Sequence, residues 1–324
     1  MAVYTELSHG EIEHFLSFYP LPPLAKAEGI CSGVENTNYL ITLQGGRKLI
    51  LTLFEKRVKA EELPFFAGLM EHLASAGVPS PLPLHCKDGN IIQALKGKQA
   101  IVVTFLAGES TEHIKDGHIA ELGAYLAKLH LAGAGYPLMR RNDLSVEGWR
   151  ELYVKIAARA HEISPGLEEE LHNELIYLEP LWPLLLPKGV IHADLFPDNV
   201  FFDRKNHLTG IIDFYFACND FLAYDLAVCI NSWCFDKDFQ LNKAHVKLLL
   251  EHYSKVRPLT RQELDAMPVL VRGAALRFLL TRAYDFLHAA PGALVSPKDP
   301  LEYLRKLRLF RDMKDKLALY THRK

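Results

Sequence analysis

The sequence predicts an α+β chain in two lobes, a small β-rich lobe followed by a larger, mainly helical one. Three observations support this. Up to about residue 106, short apolar runs are separated by Gly45-Gly46, Asp88-Gly89 and Lys96-Gly97, the pairings of tight turns. From Ala107 onward the apolar spacing becomes helical, over about 115–132, 143–160, 165–182 and from 220 to the end. The chain has 324 residues, enough for two cores. The change at "FLAGES" sets the expected boundaries, 1–106 for the first lobe and 107–324 for the second.

The elements follow in order. Residues 5–19 have helical spacing with acidic residues early, as a helix N-terminus prefers. A strand near Ala25 to Ile30 leads through the turn "CSGVENTN" into "NYLITL" and "KLILTLF", a hairpin closed by Gly45-Gly46. Residues 60–76 read as a helix with Pro64 in its first turn and Gly77 at its end. "PLPLHCKDGNIIQALKGKQAIVVTFL" reads as three short strands. In the second lobe, strands return only near 188–214.

Composition excludes several classes. Apolar residues make up 49%, charged residues 23%, and the formal net charge is -2, which argues against a nucleic-acid binder. The N-terminal residues lack the basic and apolar regions of a signal peptide. The most apolar stretch, "VLVRGAALRFLL", is cut by Arg272 and Arg277 and reads as a buried helix, not a membrane span. Five scattered cysteines without a CxxC suit a reduced, cytoplasmic protein. No HExxH occurs among the fifteen histidines.

The chemistry concentrates in "VIHADLFPDNVFFD", residues 190–203. His192 and Asp194 fall where a strand ends, and Asn199 opens the next strand. The run "TGIIDF" then delivers Asp213, fourteen residues after Asn199. Apolar neighbours Val200, Phe201, Ile211 and Ile212 bury the strands that hold these polar groups. One amide and one carboxylate are hard oxygen ligands that suit Mg²⁺ with phosphate oxygens completing its shell. A further carboxylate beside them can orient a hydroxyl and take its proton, which completes a kit for phosphoryl transfer to an alcohol.

At these residues the chain resembles the aminoglycoside-phosphotransferase-like kinases, which share the protein-kinase fold. "HADLFPDN" is similar to their catalytic loop and "IIDF" to their metal-binding strand, and the order of sheet then helices matches as well. The resemblance implies an ATP-dependent kinase with Asp194 as catalytic base and Asn199 and Asp213 as Mg²⁺ ligands. It implies that "VVTFLAG" is the hinge whose backbone at Thr104, Phe105 and Leu106 meets adenine. "CSGVENTNY" resembles the turn that covers the phosphates, placing Ser32, Gly33, Val34, Asn36, Thr37 and Asn38 at the nucleotide. Asp225 resembles the family's buried aspartate that hydrogen-bonds the catalytic loop, and His192 is expected to brace that loop. The combination of "ENTNY", "LTLFE", "HADLFPDNVFF" and "NSWCFD" is most similar to the bacterial homoserine kinases of this fold. That implies phosphorylation of the L-homoserine hydroxyl, a step toward threonine.

One position departs from the pattern. The third strand of such kinases carries a Lys or Arg for the phosphates, and here that position is Thr52. Lys48 and Lys56 share its face but sit four residues away, too far for a simple exchange. Phosphate binding is then expected to rest on Mg²⁺, on backbone amides at Val34 to Asn38 and on the Thr52 hydroxyl.

The acceptor is expected to be small. Only eleven residues separate Asp213 from Asp225, too few for the peptide platform of a protein kinase. An amino-acid alcohol needs a cation for its carboxylate and an anion for its ammonium group. Arg272, with Arg277 and Arg282 on the same helix, is the candidate cation, and Asp220, Asp236 and Asp285 are candidate anions. Tyr215 and Trp233 are candidate walls. Kinases of the same fold for choline, a sugar or methylthioribose, and a nucleotide-binding module without catalysis, are the alternative readings.

Overall fold

The computed structural model describes residues 4–30, 36–55, 58–289 and 297–313. In chain order it begins with α1 (His9–Leu16), β1 (Leu24–Ile30), β2 (Thr37–Leu43), β3 (Lys48–Leu53), α2 (Leu63–Ser75), β4 (Gln93–Leu95) and β5 (Lys98–Thr104). There follow α3 (Asp116–Gly133), α4 (Val146–Ile156), α5 (Leu167–Leu178), β6 (Lys188–Ile191), β7 (Val200–Phe202), β8 (Leu208–Ile211) and β9 (Cys218–Phe221). The remaining elements are α6 (Leu222–Trp233), α7 (Lys243–Val256), α8 (Arg261–Leu287) and α9 (Pro300–Met313). Two compact units result, residues 1–108 with 209–215, and 109–208 with 216–324. The segment that carries Asp213 therefore belongs with the first unit, although it is embedded in the sequence of the second.

The first unit is an antiparallel sheet in the order β1-β2-β3-β5-β4. Alternation sorts its residues by face. Tyr39, Ile41 and Leu43 of β2, Leu49, Leu51 and Leu53 of β3, and Ala100 and Val102 of β5 form one apolar layer with Ile12, Phe15 and Leu16 of α1. Thr52 and its partner Asn38 point to the opposite face. Helix α1 starts where Ser8 and Glu11 form a reciprocal capping box. The hairpin between β2 and β3 turns at Gly45 and Gly46, both with positive φ, which residues with a Cβ adopt at a cost.

One expected strand is missing. Residues 81–86 make only a single bridge, Pro83 to Val103, although Leu84 and Thr104 donate to Val102 and Leu82. Pro81 and Pro83 lack the N–H groups that a ladder needs. Conversely, Cys218–Phe221 forms a strand not foreseen from the sequence, paired antiparallel with β6.

The second unit is helical around α8, which packs against α4, α5, α6 and α9, while α3 packs on α7. Helix α8 begins well before its most apolar stretch. Thr260 and Glu263 cap it reciprocally at Arg261, and Pro268 is accommodated inside it. None of the helices in the described residues is long and apolar enough to cross a membrane. Cys218, Cys229 and Cys234 are free, buried thiols that burial pushes well above the usual thiol range. Cys31 lies outside the described residues.

Gly273 explains how α8 reaches the tryptophans beside it. A Cβ there would stand 2.3 Å from the Trp182 ring and 2.7 Å from the Trp149 ring. Those rings meet edge to face, 4.8 Å between centroids, so neither can simply swing aside. Glycine inside a helix ordinarily costs about 1 kcal/mol relative to alanine. Here Gly273→Ala is expected to lower stability by about 1–3 kcal/mol, because overpacking outweighs the gain in helix propensity. Urea denaturation checks this, and a raised midpoint would contradict it.

Candidate active site

The second unit fixes a polar loop at the end of β6. His192 is fully buried, and Ala193 is nearly so. Ala193 has φ +64°, a left-handed conformation that costs a non-glycine residue roughly 1–2 kcal/mol. It persists because both peptides around it are held. The Asp225 carboxylate accepts from the N–H of His192 at 2.8 Å and from that of Ala193 at 2.9 Å. The Ala193 carbonyl accepts from the Arg277 guanidinium. The Asp194 N–H donates to Nδ1 of His192 at 3.3 Å. His192 thus braces the loop through its ring as well as its backbone.

Beyond Asp194 the chain turns tightly. Its carbonyl accepts from the Phe196 N–H and from the Asn199 amide, both at 2.9 Å. That bond sets the orientation of the Asn199 side chain. With Nδ2 engaged, Oδ1 is the oxygen available to a hard cation. Leu195 is anchored in turn, its carbonyl accepting from the Trp233 indole at 2.8 Å and from the Ser232 hydroxyl at 3.2 Å. The Asp194 side chain stays partly exposed while its backbone is held on both sides.

Asp225 is fully buried on α6. Burial pushes its carboxyl up, but the hydrogen bonds from His130 and from the His192 backbone outweigh burial and hold it below the usual carboxylate range. The His130 ring donates through Nε2 to Asp225 at 3.1 Å and meets the Tyr253 hydroxyl through Nδ1 at 2.7 Å. Arg257 donates to the same hydroxyl and to Glu263, the capping residue of α8. The phenol proton of Tyr253 then goes to Nδ1, which leaves Nε2 as the protonated nitrogen facing Asp225.

The first unit holds the other acidic candidate. Asp213 also has φ +64°. Tyr215, two residues on, meets Phe54 and Phe66 edge to face at 5.1 and 5.8 Å. Burial and the charge of Asp213 push its phenol up, and a hydrogen bond with Thr52 works against them. The Thr52 hydroxyl donates to Oδ1 of Asn38 at 2.7 Å. Asn38, Thr52, Tyr215 and Asp213 therefore form one polar group on the sheet face away from α1.

Among the candidate residues, Asp194, Asn199, His192 and Asp225 come together in the second unit. Asp213, Thr52 and Asn38 belong to the first, with Asn36 placed by a 3.4 Å bond from the Glu55 N–H. Ser32, Gly33, Val34 and Lys56 lie outside the described residues. Thr104 faces back into the sheet, its hydroxyl accepting from the Leu82 N–H at 2.9 Å, while Phe105 is exposed. Among the described residues there is no cluster of three or more His, Cys, Asp or Glu suited to a metal. The amide oxygen of Asn199 and the carboxylate of Asp213 are each the kind of hard donor that suits a cation arriving with phosphate oxygens.

Several expected roles need correction. Thr37 is on the α1 face of its strand, and its hydroxyl is committed to Glu55 at 2.6 Å and to the backbone of Tyr4 and Thr5, so its side chain is not a nucleotide ligand. Arg272 is buried in a two-pronged pair with Glu174 and covers the Tyr177 ring, so its charge is already matched. Trp233 is fully buried and braces Leu195 instead of walling a site. Tyr215 packs within the first unit against Thr52 and the phenylalanines. Asp220 is buried, with Asn142 at 2.7 Å and its own following N–H at 2.8 Å on its oxygens. Burial raises its carboxyl above the usual value despite those bonds and the nearby cations.

Sequence reasoning missed His130, Lys98 and the placement of Arg277. His130 had a readable signal, a histidine among Leu126, Ala127 and Leu129 on a buried helical face, where an imidazole needs a partner. Lys98 pairs with Glu55 from a neighbouring strand, which no local pattern reveals. Arg277 lies about 140° around the helix from Arg272 by the 100° step per residue, but nothing local marks which face meets the loop.

Asp225→Ala is expected to cost about 3–5 kcal/mol, because it leaves two backbone N–H groups and His130 unmatched in the core. Asp225→Asn should cost less and has a pH signature. A carboxyl held low in the fold contributes stability fully above its unfolded pKa, near 4, and loses it as pH falls through the folded value. The stability gap between wild type and Asp225→Asn should therefore narrow below about pH 4. Urea titrations across pH measure that gap, and a constant gap would contradict the account.

Comparison with known proteins agrees with this geometry. The profile of the phosphotransferase enzyme family (APH) matches residues 26–259. The homoserine kinase of Paramagnetospirillum magneticum is 54% identical over 313 residues, covering 95% of this chain and 96% of that protein. The homoserine kinase of Rhizobium meliloti is 53% identical over 311 residues, covering 96% and 95%. Among solved structures, an amicoumacin kinase superposes with a TM-score of 0.70 at 14% identity, covering 96% of this chain and 93% of that one. A spectinomycin phosphotransferase superposes with a TM-score of 0.67 at 15% identity, covering 98% and 99%. The fold is that of the protein-kinase-like phosphotransferases, a small antiparallel-sheet lobe and a larger helical lobe, and the chain belongs to the phosphotransferase enzyme family.

Proposed function

We propose that this chain transfers the γ-phosphoryl group of ATP to the side-chain hydroxyl of L-homoserine, giving O-phospho-L-homoserine and ADP. The observation that carries the class of reaction is Asp194. Its backbone is fixed on both sides by bonds to His192, Phe196 and Asn199, while its carboxylate remains partly exposed. The choice of acceptor rests on the near full-length relatives named homoserine kinases.

In this reading Asp194 accepts a hydrogen bond from the acceptor hydroxyl and takes its proton. The hydroxyl oxygen forms a bond to the γ-phosphorus as the bond to the ADP oxygen breaks. Asn199 through Oδ1 and Asp213 would be the residues that hold Mg²⁺, which when bound would supply positive charge against the phosphates. Thr104 to Leu106 offer backbone groups to adenine. Asn36 and Asn38 would offer backbone N–H groups to the phosphates, with the expected contribution of Ser32, Gly33 and Val34 lying outside the described residues. Thr52 acts through Asn38, to which its hydroxyl already donates, and so contributes to nucleotide affinity as one neutral hydrogen bond.

An acceptor panel with Mg-ATP tests the reading by ADP release and product mass. L-Homoserine should be turned over with the highest kcat/KM among homoserine, choline, a pentose and methylthioribose. Equal turnover of choline or the sugars would sink the substrate assignment. ATP binding with no product from any acceptor would favour a non-catalytic module. Asp194→Asn separates base from binder. It should lower kcat by about 10²–10⁴-fold while nucleotide affinity, read by isothermal titration, changes little. Retention of more than about a tenth of wild-type kcat would remove Asp194 from the base role.

A further inference from the structure

Two arginines of α8 are buried five residues apart, and they are not equivalent. Arg272 is fully matched by Glu174. Arg277, only 2% exposed, is not. One guanidinium nitrogen donates to the Ala193 carbonyl. The other faces Oδ1 of Asp194 at 3.9 Å. Its Nε is buried and has no hydrogen-bond partner. The group lies near two aromatic rings, with its carbon 4.3 Å from the Phe278 centroid and 5.8 Å from that of Phe216. The Tyr224 phenol and the Asp220 carboxyl also lie within its electrostatic reach. A cation this deeply buried is costly, so stability alone does not account for it.

We propose that Arg277 is a positioning residue for phosphoryl transfer, fixing the left-handed Ala193 peptide and the carboxylate of Asp194 where the acceptor hydroxyl must be met. The inference rests on the reading of Asp194 as the base. The peptide between Ala193 and Asp194 has two ends to secure. His192 holds its N–H, and Arg277 holds its carbonyl. Released at the carbonyl, that peptide can rotate and carry the Asp194 side chain with it. The 3.9 Å separation from Oδ1 draws the carboxylate toward Arg277 by charge without occupying its lone pairs in a short hydrogen bond. The aromatic rings on Arg277 keep its planar group in one orientation, a task that lysine performs less well.

The test compares wild type, Arg277→Lys and Arg277→Met on the acceptor that wild type turns over fastest in the panel. Wild-type turnover of L-homoserine tests the substrate reading, and the variant-to-wild-type ratios test Arg277, so the two fail separately. Arg277→Met should lower kcat by about 10²-fold, the scale of a catalytic group displaced by an ångström. The KM values for ATP and acceptor should stay within about threefold of wild type. Arg277→Lys, which keeps a charge and a donor for the Ala193 carbonyl, should recover about tenfold of that loss and serves as the readout if the methionine variant does not fold. A loss expressed as a raised acceptor KM with kcat intact would make Arg277 a ligand of the acceptor and overturn the proposal. So would a lowered melting temperature with unchanged kcat per folded molecule, which would make it structural only.

Discussion

The second unit depends on one constraint, that the backbone at Ala193 stays left-handed inside an apolar core. A single non-glycine residue in that conformation is disfavoured by sterics, and each N–H and C=O around it is remote from water. Four of these groups have an assigned partner. Asp225 takes the two N–H groups, Arg277 takes the carbonyl, and His192 takes the N–H of Asp194. The strained peptide is thereby over-determined, and the strain lies where the candidate base is carried.

Asp225 is itself the end of a buried polar series that runs through His130, Tyr253 and Arg257 to Glu263. Glu263 caps α8 by accepting from the Thr260 N–H at 2.9 Å. Helix α8 then returns to the same loop through Arg277, further along its length. The loop is thus tied to one helix twice, once through the start of α8 and once through its middle. A half-satisfied buried network would weaken the fold more than an apolar core. Its completeness from Thr260 to His192 is what lets α6, α7 and α8 share a polar interior.

The architecture was legible where periodicity is strong. The glycine-turned hairpin, the helix over α2 and the long helical lobe are local patterns, and the structure has them. The missing strand at 81–86 follows from two prolines that the apolar run concealed, and β9 was hidden because its four residues show no alternation. Within the site, "HADLFPDN" identified Asp194 and Asn199, because a polar turn between buried strands is a local signal. Which side chains serve this turn from afar was not legible, even where, as at His130, the sequence signals a buried polar group in need of a partner. His130, Tyr253 and Arg277 are remote from the loop in sequence, Arg277 lying 84 residues from the Ala193 carbonyl it holds, so only the tertiary fold brings them to it.

The first unit shows a related economy around Thr52. A third-strand cation would bring charge to the phosphates, and the cations described nearby have other engagements. Lys98 is paired with Glu55, and Lys48 lies over the Phe105 ring at 5.5 Å. Burial would raise the Glu55 carboxyl, but Lys98, Thr37 and Thr5 hold it below the usual range, so that pair is a settled part of the sheet. Thr52 instead joins Asn38 and Tyr215 in a neutral set, close to the left-handed Asp213. A neutral hydroxyl organises its neighbours but neutralises nothing. On the proposed reading, the compensating positive charge at the phosphates would come from Mg²⁺, with backbone N–H groups supplying the rest. On that reading Asp213 would carry more of the nucleotide's binding than it would beside a third-strand lysine.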